Sequence, residues 1–289
     1  MSHELKIALA QLNPTVGDVA GNLAMLRQAR ATGAKKGADL IVCAETVMSG
    51  YHAEDLVLKP AFQHACRQAV EDLAADTADG GPAMLVGTPW LDGDKLMNGY
   101  LLLDGGKVAA ARYKHELPNY GVFDDKRVFK QGPLQGPVSF RGVRLGLPIC
   151  EDLWFSDVTE CLAESGAEII LCPNGSPFEV DKMDQRLGIA ITRQNETNLP
   201  IAYVNQVGGQ DELVFDGGSF VLDRGHQLRA QLPQFREAIE VTHWRRTNEG
   251  WSCDPAHITA EFSLLEKIYQ AMMLGLKDYV NKNRFPGVI

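Results

Sequence analysis

Three side chains that can take part in nucleophilic catalysis each follow a short predicted strand. Glu45 follows the apolar run DLIVCA, Lys114 follows VAAARY, and Cys150 follows VRLGLPI, which ends in a sharp turn. A thiol becomes a strong nucleophile when a neighbouring base or cation favours its thiolate, and a carboxylate and an ammonium can act in these ways. We expect the three strand ends to meet at one edge of a sheet and to form a catalytic site there.

Each of these residues also has a structural explanation that its own surroundings do not exclude. Cys150 can be a buried thiol that packs as a small apolar side chain. Glu45 can be a solvated carboxylate or the partner of a helix N-terminus, and Lys114 can be an exposed cation at a strand end. The immediate sequence leaves these alternatives open, so the choice depends on the longer strings around the three residues.

Two of those strings are specific. The chain reads HELPNYGVFDDKR after Lys114, and it reads CEDLWF from Cys150 onwards. Together with the strand that ends at Glu45, in this order and at this spacing, they resemble the Glu-Lys-Cys triad of the nitrilase (carbon–nitrogen hydrolase) superfamily. Within that superfamily they resemble the glutamine-amidase domains of glutamine-dependent NAD synthetases. The similarity extends from about residue 5 to the end of the chain.

The resemblance implies an amidohydrolase that releases ammonia from L-glutamine. Cys150 would attack the side-chain amide and form a thioester. Glu45 would take the thiol proton, pass one to the departing ammonia and activate the hydrolytic water. The Lys114 ammonium would favour the thiolate and, with a backbone N–H near the cysteine, would stabilise the oxyanion, an effect of about 3–4 kcal/mol for one well-placed donor.

The resemblance also implies where the zwitterionic end of glutamine binds. The residues at the family's contact positions are Tyr120, Glu151, Ser176 and Lys182, and those at its pocket walls are Phe123 and Trp154. Asp125 stands where a glutamate is common in this family, so we expect a shorter supporting carboxylate here. His52 and His115 lie near the catalytic segments, but a Cys–His pair is not this family's chemistry, and we expect both to be structural.

Composition narrows the class of protein. Of the 289 residues, 45% are hydrophobic and 22% are charged, and no run of about 18 apolar residues offers a membrane span. The net charge of −9 argues against a nucleic-acid partner. The six cysteines form no CxxC pair and no Cys/His cluster, which argues against a disulfide framework and a bound metal. Three of them are expected in the core, namely Cys43, Cys161 and Cys172. With no secretory signal in the first residues, we expect a soluble cytoplasmic protein.

The order of the predicted elements indicates an α/β protein. Strands and helices alternate from the opening β-α-β unit that ends at Glu45, and a hairpin at the turn DGG delivers the candidate lysine. Helices are predicted over residues 53–76 and 182–197, the second with an inward face of Leu187, Ile189, Ala190 and Ile191. A last hairpin is predicted around the turn DRG. With the family resemblance, this order predicts a four-layer α-β-β-α sandwich with the triad at one end of its sheets.

The last part of the chain is expected to differ from the rest. Residues 233–260 show little pattern and contain Trp244 and Trp251, so they are expected to cross the surface. Residues 261–281 are predicted to form an amphipathic helix that docks on the same core or on a partner subunit. Its apolar stripe consists of Phe262, Leu265, Ile268, Met272, Leu276 and Tyr279. The final RFPGVI resembles the beginning of a buried strand.

These features suggest two parts: residues 1–260, an amidase domain, and residues 261–289, the helix and the start of a linker to an ATP-dependent synthetase domain. The family's synthetase domain carries a Ser-Gly-Gly-x-Asp-Ser loop that is absent from this sequence. ATP, Mg and nicotinic acid adenine dinucleotide are therefore expected only for that missing domain, which would receive the ammonia. No cofactor is expected in this chain itself. A homo-oligomer is expected, and its order is not predicted.

Two other functions remain open at this point. One is a stand-alone amidase or carbamoylase of the same superfamily that acts on another small amide. Substrate preference would distinguish it, and the string from Tyr120 to Arg127 favours glutamine. The other is a catalytically idle module that binds a partner through the helix over residues 261–281. The presence of all three triad residue types argues against that module.

Overall fold

The apolar runs of the sequence form strands and helices in the computed structural model, which describes residues 4–288. The strands are β1 (Glu4–Gln11), β2 (Leu40–Cys43), β3 (Ala83–Asp92), β4 (Lys95–Asp104), β5 (Lys107–Tyr113), β6 (Val138–Phe140), β7 (Val143–Gly146), β8 (Ile169–Asn174), β9 (Ile201–Asn205), β10 (Val207–Gln210), β11 (Leu213–Asp216), β12 (Phe220–Asp223), β13 (Gln227–Gln231), β14 (Ala238–Thr247) and β15 (Gly250–Cys253). The helices are α1 (Val19–Lys35), α2 (Pro60–Asp76), α3 (Asp125–Val128), α4 (Ser156–Glu164), α5 (Lys182–Thr197) and α6 (Leu264–Lys282).

Most of the strands belong to two mixed sheets. The first has the order β15-β14-β1-β2-β3-β4-β5, in which β1, β2 and β3 are parallel. The second has the order β13-β12-β9-β8-β7-β6, in which β7, β8 and β9 are parallel. β10 and β11 form a separate two-stranded ribbon. Loops that follow the parallel strands are where sites form in such sheets, and both sheets supply them.

Three apolar layers hold the sheets and helices together. The largest lies between the two sheets and includes Leu9 of the first and Leu145 of the second. α1 and α2 cover the outer face of the first sheet, with Leu26 in the contact, and α4 and α5 cover the second, with Leu162 in the contact. This confirms the predicted four-layer α-β-β-α sandwich. Burial of apolar area between the layers, at about 25 cal/mol per Å², is its main stabilising contribution.

The predicted helix over residues 53–76 is in fact two elements. A short 3₁₀ turn, Glu54–Leu58, ends at Lys59, whose backbone is extended, and α2 begins at Pro60. Proline has no backbone N–H and disfavours helical geometry in the residue before it. It therefore begins a new helix here but does not continue the preceding turn.

The prediction that residues 233–260 cross the surface is wrong. β14 pairs antiparallel with β1, with Trp244 opposite Leu5, and β15 pairs with β14. Trp244 and Trp251 are fully buried in the layer between the sheets. The sequence did not show this because the partner of β14 is the first strand of the chain, and because exposed arginines at the end of β14 obscure its apolar face.

α6 begins at Leu264, three residues after the predicted start, so Phe262 precedes it, and the predicted apolar stripe faces outward. All six stripe residues are at least 36% exposed, and Leu265 is 80% exposed. The opposite face attaches the helix. Asp278 Oδ2 accepts hydrogen bonds from the backbone N–H of Gly209, at 2.8 Å, and from the side-chain amide of Asn13, at 2.7 Å. The expectation that the stripe docks on the same core is therefore wrong, and docking on a partner subunit stays a prediction.

The segment after α6 does not begin a buried strand. Residues 284–288 are exposed and lie outside every strand, and Ile289 lies outside the described residues. Phe285 packs instead against Tyr279 of α6, with the ring centres 5.7 Å apart. In the part of the chain from residue 4 to 288, no helix is both long and apolar enough to cross a membrane.

α5 has the predicted bounds but a different buried face. Its buried residues are Met183, Arg186, Ala190, Arg193 and Gln194, whereas Leu187, Ile189 and Ile191 are only half-buried. The polar members follow the helical period, and a buried arginine is tolerated where hydrogen-bond acceptors surround it. Among the cysteines, Cys43 and Cys172 are core residues as predicted, but Cys161 is half-buried.

Candidate active site

Lys114 lies at the centre of a buried cluster of charges. β5 ends at the residue before it, and the backbone N–H of Lys114 donates to the carbonyl oxygen of Asn98 on β4. The side chain is fully buried, and its Nζ lies 2.7 Å from Oε1 of Glu45 and 2.7 Å from Oδ2 of Asp125. The hairpin therefore delivers the lysine to a buried position. Asp125 has a shorter side chain than a glutamate, as expected from the sequence, and its carboxylate still contacts the Lys114 ammonium.

Glu45 is fully buried just beyond the end of β2. Besides contacting Lys114, its Oε1 accepts a hydrogen bond from the side-chain amide of Asn98, at 2.7 Å. Its Oε2 accepts one from the backbone N–H of Gly175, at 3.1 Å. Gly175 follows β8 of the second sheet, so this carboxylate connects loops of both sheets. These partners hold it in one orientation, as the role of a general base requires.

Cys150 begins the 3₁₀ turn Cys150–Trp154, which follows β7. Its φ of +49° lies in the left-handed region that non-glycine residues rarely adopt, and its side chain is only 4% exposed. Such backbone conformations cluster at functional sites. The sharp turn is therefore confirmed. The strand before it is shorter than the sequence indicated, because pairing ends at Gly146, although Leu147 and Ile149 remain buried between the sheets.

The charges around Lys114 keep it protonated. Burial by itself lowers the pKa of the ammonium, but the Asp125 and Glu45 carboxylates act in the opposite direction and hold that pKa well above its ordinary value. An ammonium that stays charged can stabilise negative charge that develops nearby during a reaction.

The thiol of Cys150 stays protonated because its surroundings disfavour the charged thiolate. Burial raises its pKa, the Glu45 carboxylate raises it further, and Lys114 and the Gly175 N–H lower it. The net direction is upward. The contribution of Lys114 has the expected sign, but burial and Glu45 outweigh it, so the resting sulfur is a thiol and needs a base to deprotonate it.

Three of the residues that the resemblance predicts as substrate contacts or pocket walls form a group next to Cys150 in the chain or in space. The Tyr120 hydroxyl lies 2.9 and 3.0 Å from the two carboxylate oxygens of Glu151 and donates to them. The Phe123 ring centre lies 5.5 Å from that of Tyr120. Glu151 directly follows Cys150 and is buried, which raises the pKa of its carboxyl, while the hydrogen bond from Tyr120 acts to lower it.

The other three residues lie on the second-sheet side of the cysteine. Lys182 Nζ lies 5.3 Å from the centre of the Trp154 ring, within cation–π range, and Trp154 ends the turn that carries Cys150. The Ser176 hydroxyl accepts a hydrogen bond from Nε of Arg186, at 3.0 Å. Direct contacts therefore pair Lys114 with Glu45, Tyr120 with Glu151 and Lys182 with Trp154, and Ser176 follows the glycine whose N–H binds Glu45.

The sequence did not single out the residues that hold these side chains in place. They are Asn98, Asp152, Gly175, Arg186 and Asn205. Asn205, for example, accepts from the backbone N–H of Ser176, at 2.9 Å, and donates to the Ser176 carbonyl, at 3.0 Å. Asn98 and Asn205 interrupt or end apolar strands, which is a usable signal. Nothing local distinguishes Arg186 on a helix that carries many charges.

With this fold and this cluster established, the chain belongs to the carbon–nitrogen hydrolase family, whose model matches residues 6–246. Within it, the chain is 43% identical over 289 residues to the glutamine-dependent NAD(+) synthetase of Rhodobacter capsulatus, covering 100% of this chain and 52% of that protein. It is 35% identical to that of Aquifex aeolicus, covering 99% of this chain and 55% of that protein. The chain spans about half the length of the curated relatives it matches.

Solved structures of similar proteins superpose on most of this chain. The glutamine-dependent NAD+ synthetase from Acinetobacter baumannii superposes with a TM-score of 0.91 at 33% identity, over 99% of this chain and 53% of that one. An amidase from Nesterenkonia sp. AN1, with acrylamide added at its active-site cysteine, superposes with a TM-score of 0.72 at 27% identity, over 82% of this chain and 92% of that one.

Proposed function

We propose that this chain is a glutaminase that supplies ammonia to an NAD synthetase. The observation that carries the proposal is the buried arrangement of Lys114, Glu45 and Asp125, with both nitrogen–oxygen distances at 2.7 Å, beside a cysteine held in a left-handed turn. Burying an ammonium and two carboxylates costs desolvation free energy, and groups with strongly shifted pKa values, such as this lysine, cluster at functional sites. The similarity to glutamine-dependent NAD synthetases supports glutamine as the amide.

The reaction has two halves. In the first, Glu45 takes the proton of the Cys150 thiol as the sulfur bonds to the amide carbon of glutamine, and the Lys114 ammonium stabilises the oxyanion. Glu45 then passes the proton to the amide nitrogen, the carbon–nitrogen bond breaks, and ammonia leaves behind a glutamyl thioester. In the second, Glu45 takes a proton from water, the water oxygen displaces the sulfur, and glutamate leaves as the thiol regains a proton. The protonated resting thiol fits this role for Glu45.

Recognition of glutamine requires charged partners for its α-amino and α-carboxylate groups. We assign the amino group to the Glu151 carboxylate, which Tyr120 orients, and the carboxylate to the Lys182 ammonium with the Ser176 hydroxyl. Phe123 and Trp154 enclose the aliphatic part. In this assignment the buried residues that hold Ser176 contribute to binding without touching the substrate.

The proposal extends to the partner of the reaction. A synthetase domain or subunit would use the ammonia to amidate nicotinic acid adenine dinucleotide, and ATP and Mg would belong to that partner. The chemistry assigned to this chain requires no cofactor. The free state of all six cysteines supports a reducing, cytoplasmic location, and the exposed stripe of α6 supports association with another subunit.

A second candidate is hydrolysis of another small amide by the chain alone. The similarity to the Nesterenkonia amidase favours it, because 92% of that amidase is matched. An idle binding module is the weaker alternative, since all three triad residues are buried together. Substrate preference separates the two enzymes, and any turnover that depends on Cys150 excludes the idle module.

The test is ammonia release from L-glutamine by the wild-type chain, by Cys150→Ala and by Cys66→Ala, a control that removes a buried thiol in the apolar cluster around α2. We expect release by wild type and Cys66→Ala and none by Cys150→Ala. Mass spectrometry of acid-quenched reactions should show a glutamyl adduct on the Cys150 peptide. Cleavage of other amides without cleavage of glutamine would move the assignment to the second candidate.

A further inference from the structure

Asp152 connects the two backbone segments that carry Lys114 and Cys150. Its Oδ1 accepts hydrogen bonds from the backbone N–H of His115, at 3.0 Å, and of Glu116, at 2.7 Å. Its Oδ2 accepts one from the backbone N–H of Ile149, at 2.9 Å. The residue is 2% exposed, so these three N–H groups are its principal partners and water contributes little.

The position of these donors matters for the candidate site. His115 directly follows Lys114, and Ile149 directly precedes Cys150. Lys114 comes from the end of a strand in the first sheet and Cys150 from the end of a strand in the second, and the two sheets meet through side chains without shared strand pairing. Because one small carboxylate binds both backbones, it fixes them relative to each other more directly than packing alone does.

We propose that Asp152 is a positioning residue that sets the separation of the Lys114 ammonium and the Cys150 sulfur. The proposal rests on the function proposed above, in which the ammonium must lie where the oxyanion forms. A displacement of about 1 Å in such a group can cost on the order of 10²-fold in rate. Asp152 does not touch the substrate in this scheme. It acts through the backbone on two residues that do.

The ionised form of Asp152 is the one that suits three N–H donors. Burial raises the pKa of this carboxyl to about 6, while the N–H groups of Glu116, Ile149 and His115 and the Lys114 ammonium lower it. If the Asp152 carboxylate is protonated, its O–H is itself a hydrogen-bond donor and faces backbone N–H groups that also need an acceptor. The other charged or titratable groups packed near it are Lys114, His115, Glu116, Glu151, Cys172, Arg112 and Tyr113.

The experiment compares the wild-type chain, Asp152→Asn and a matched control, Asp278→Asn. Asp278 is also a buried carboxylate that accepts a backbone N–H, but it binds α6 to the β10 segment. For each protein we would measure kcat and KM for glutamine. We would also measure the rate at which iodoacetamide alkylates Cys150 between pH 5 and 9, by mass spectrometry of the Cys150 peptide.

We expect Asp152→Asn to lower kcat by about 10- to 100-fold with KM changed less than about threefold, and to move the alkylation profile of Cys150 to higher pH, because the ammonium no longer sits close to the sulfur. Asp278→Asn should change neither quantity. Equal kcat and an unchanged alkylation profile in Asp152→Asn would overturn the proposal. So would equal losses in both variants, which would indicate a general effect on folding.

Two further readouts keep the proposal testable. If wild type does not hydrolyse glutamine, the proposed function fails, and the alkylation profile still decides the role of Asp152. If Asp152→Asn does not fold, the wild-type profile decides: between pH 7 and 5 the alkylation rate at Cys150 should fall by more than about tenfold per pH unit, the limit for a single titrating thiol, and Glu151→Gln should show the same fall. A fall of about tenfold per pH unit or less would overturn the proposal.

Discussion

Lys114 Nζ lies 2.7 Å from Oδ2 of Asp125, although an aspartate side chain is one methylene shorter than a glutamate. The contact is possible because Asp125 begins the short helix α3, whose first backbone N–H donates to the carbonyl of Pro118. That bond brings the residue close to the end of β5. The Tyr51 hydroxyl approaches the other oxygen of the same carboxylate, at 3.4 Å.

The first prediction concerns the ion pair between Lys114 and Asp125. Asp125→Asn should leave Lys114 with one carboxylate, destabilise the fold by about 3 kcal/mol and lower kcat at least tenfold, because a buried charge loses half of its compensation. Urea unfolding and glutamine kinetics would measure both effects. Asp55→Asn is the control, since that carboxylate pairs with Arg127 at the exposed surface. Unchanged stability in Asp125→Asn would show that Glu45 alone suffices for Lys114.

The second prediction concerns the loop that carries Ser176. Arg186 donates to the Ser176 hydroxyl and carbonyl, to the Pro177 carbonyl and to Asp216. Arg186→Met should cost about 3–5 kcal/mol, because Asp216 becomes a buried charge without its cation. Arg186→Lys keeps the charge but cannot reach all these acceptors, so it should mainly raise KM for glutamine.

The matched control for that pair of variants is Arg193→Met on the same helix. Arg193 is also buried, but it binds Glu196, and within residues 4–288 its Nε and Nη1 have no hydrogen-bond partner. Its loss should leave KM unchanged and cost less stability. An Arg193→Met variant as impaired in KM as Arg186→Lys would refute the role assigned to the Ser176 contacts.

The third prediction separates the two buried tryptophans. Trp244 Nε1 donates to the Thr242 hydroxyl at 2.8 Å, whereas the Nε1 of Trp251 has no partner among the described residues. Both Trp→Phe changes leave a similar cavity, but only Trp244→Phe also removes a hydrogen bond. It should therefore cost about 1 kcal/mol more than Trp251→Phe in urea unfolding. Equal costs would mean that cavity size alone determines the effect.

The fourth prediction is a dependence of stability on pH. The folded pKa of Asp152, about 6, lies above its ordinary value of 3.8, so the folded state binds this proton more tightly. Tighter binding of this proton stabilises the folded state. Its contribution to the free energy of unfolding is fully present below about pH 4 and is lost as pH rises through 6, a change on the order of 3 kcal/mol. Asp152→Asn lacks this titration. The stability of wild type relative to the variant should therefore fall from pH 4 to pH 7 in urea unfolding, and a constant difference would contradict the prediction.

Several parts of the fold and site could be predicted from the sequence because local strings determine them. The positions of Glu45, Lys114 and Cys150 at strand ends follow from the order of residues, whereas the catalytic roles proposed for them rest on the family resemblance. The bounds of α5 and the hairpin before Lys114 follow from helical period and turn residues. The family-like strings also indicated the four-layer sandwich, which the two packed sheets and their covering helices confirm.

Other parts depend on contacts between distant segments. The orientation of Glu45 requires the N–H of Gly175, which is 130 residues away along the chain. β14 is recognisable as a strand only beside β1, and the stripe of α6 has the pattern of a buried face although the helix attaches by its polar side. Sequence by itself therefore determined which residue types stand at the strand ends and the class of fold they imply. Only the tertiary structure decided which side chains hold them, because burial and hydrogen-bond partners are set by segments that no local pattern connects.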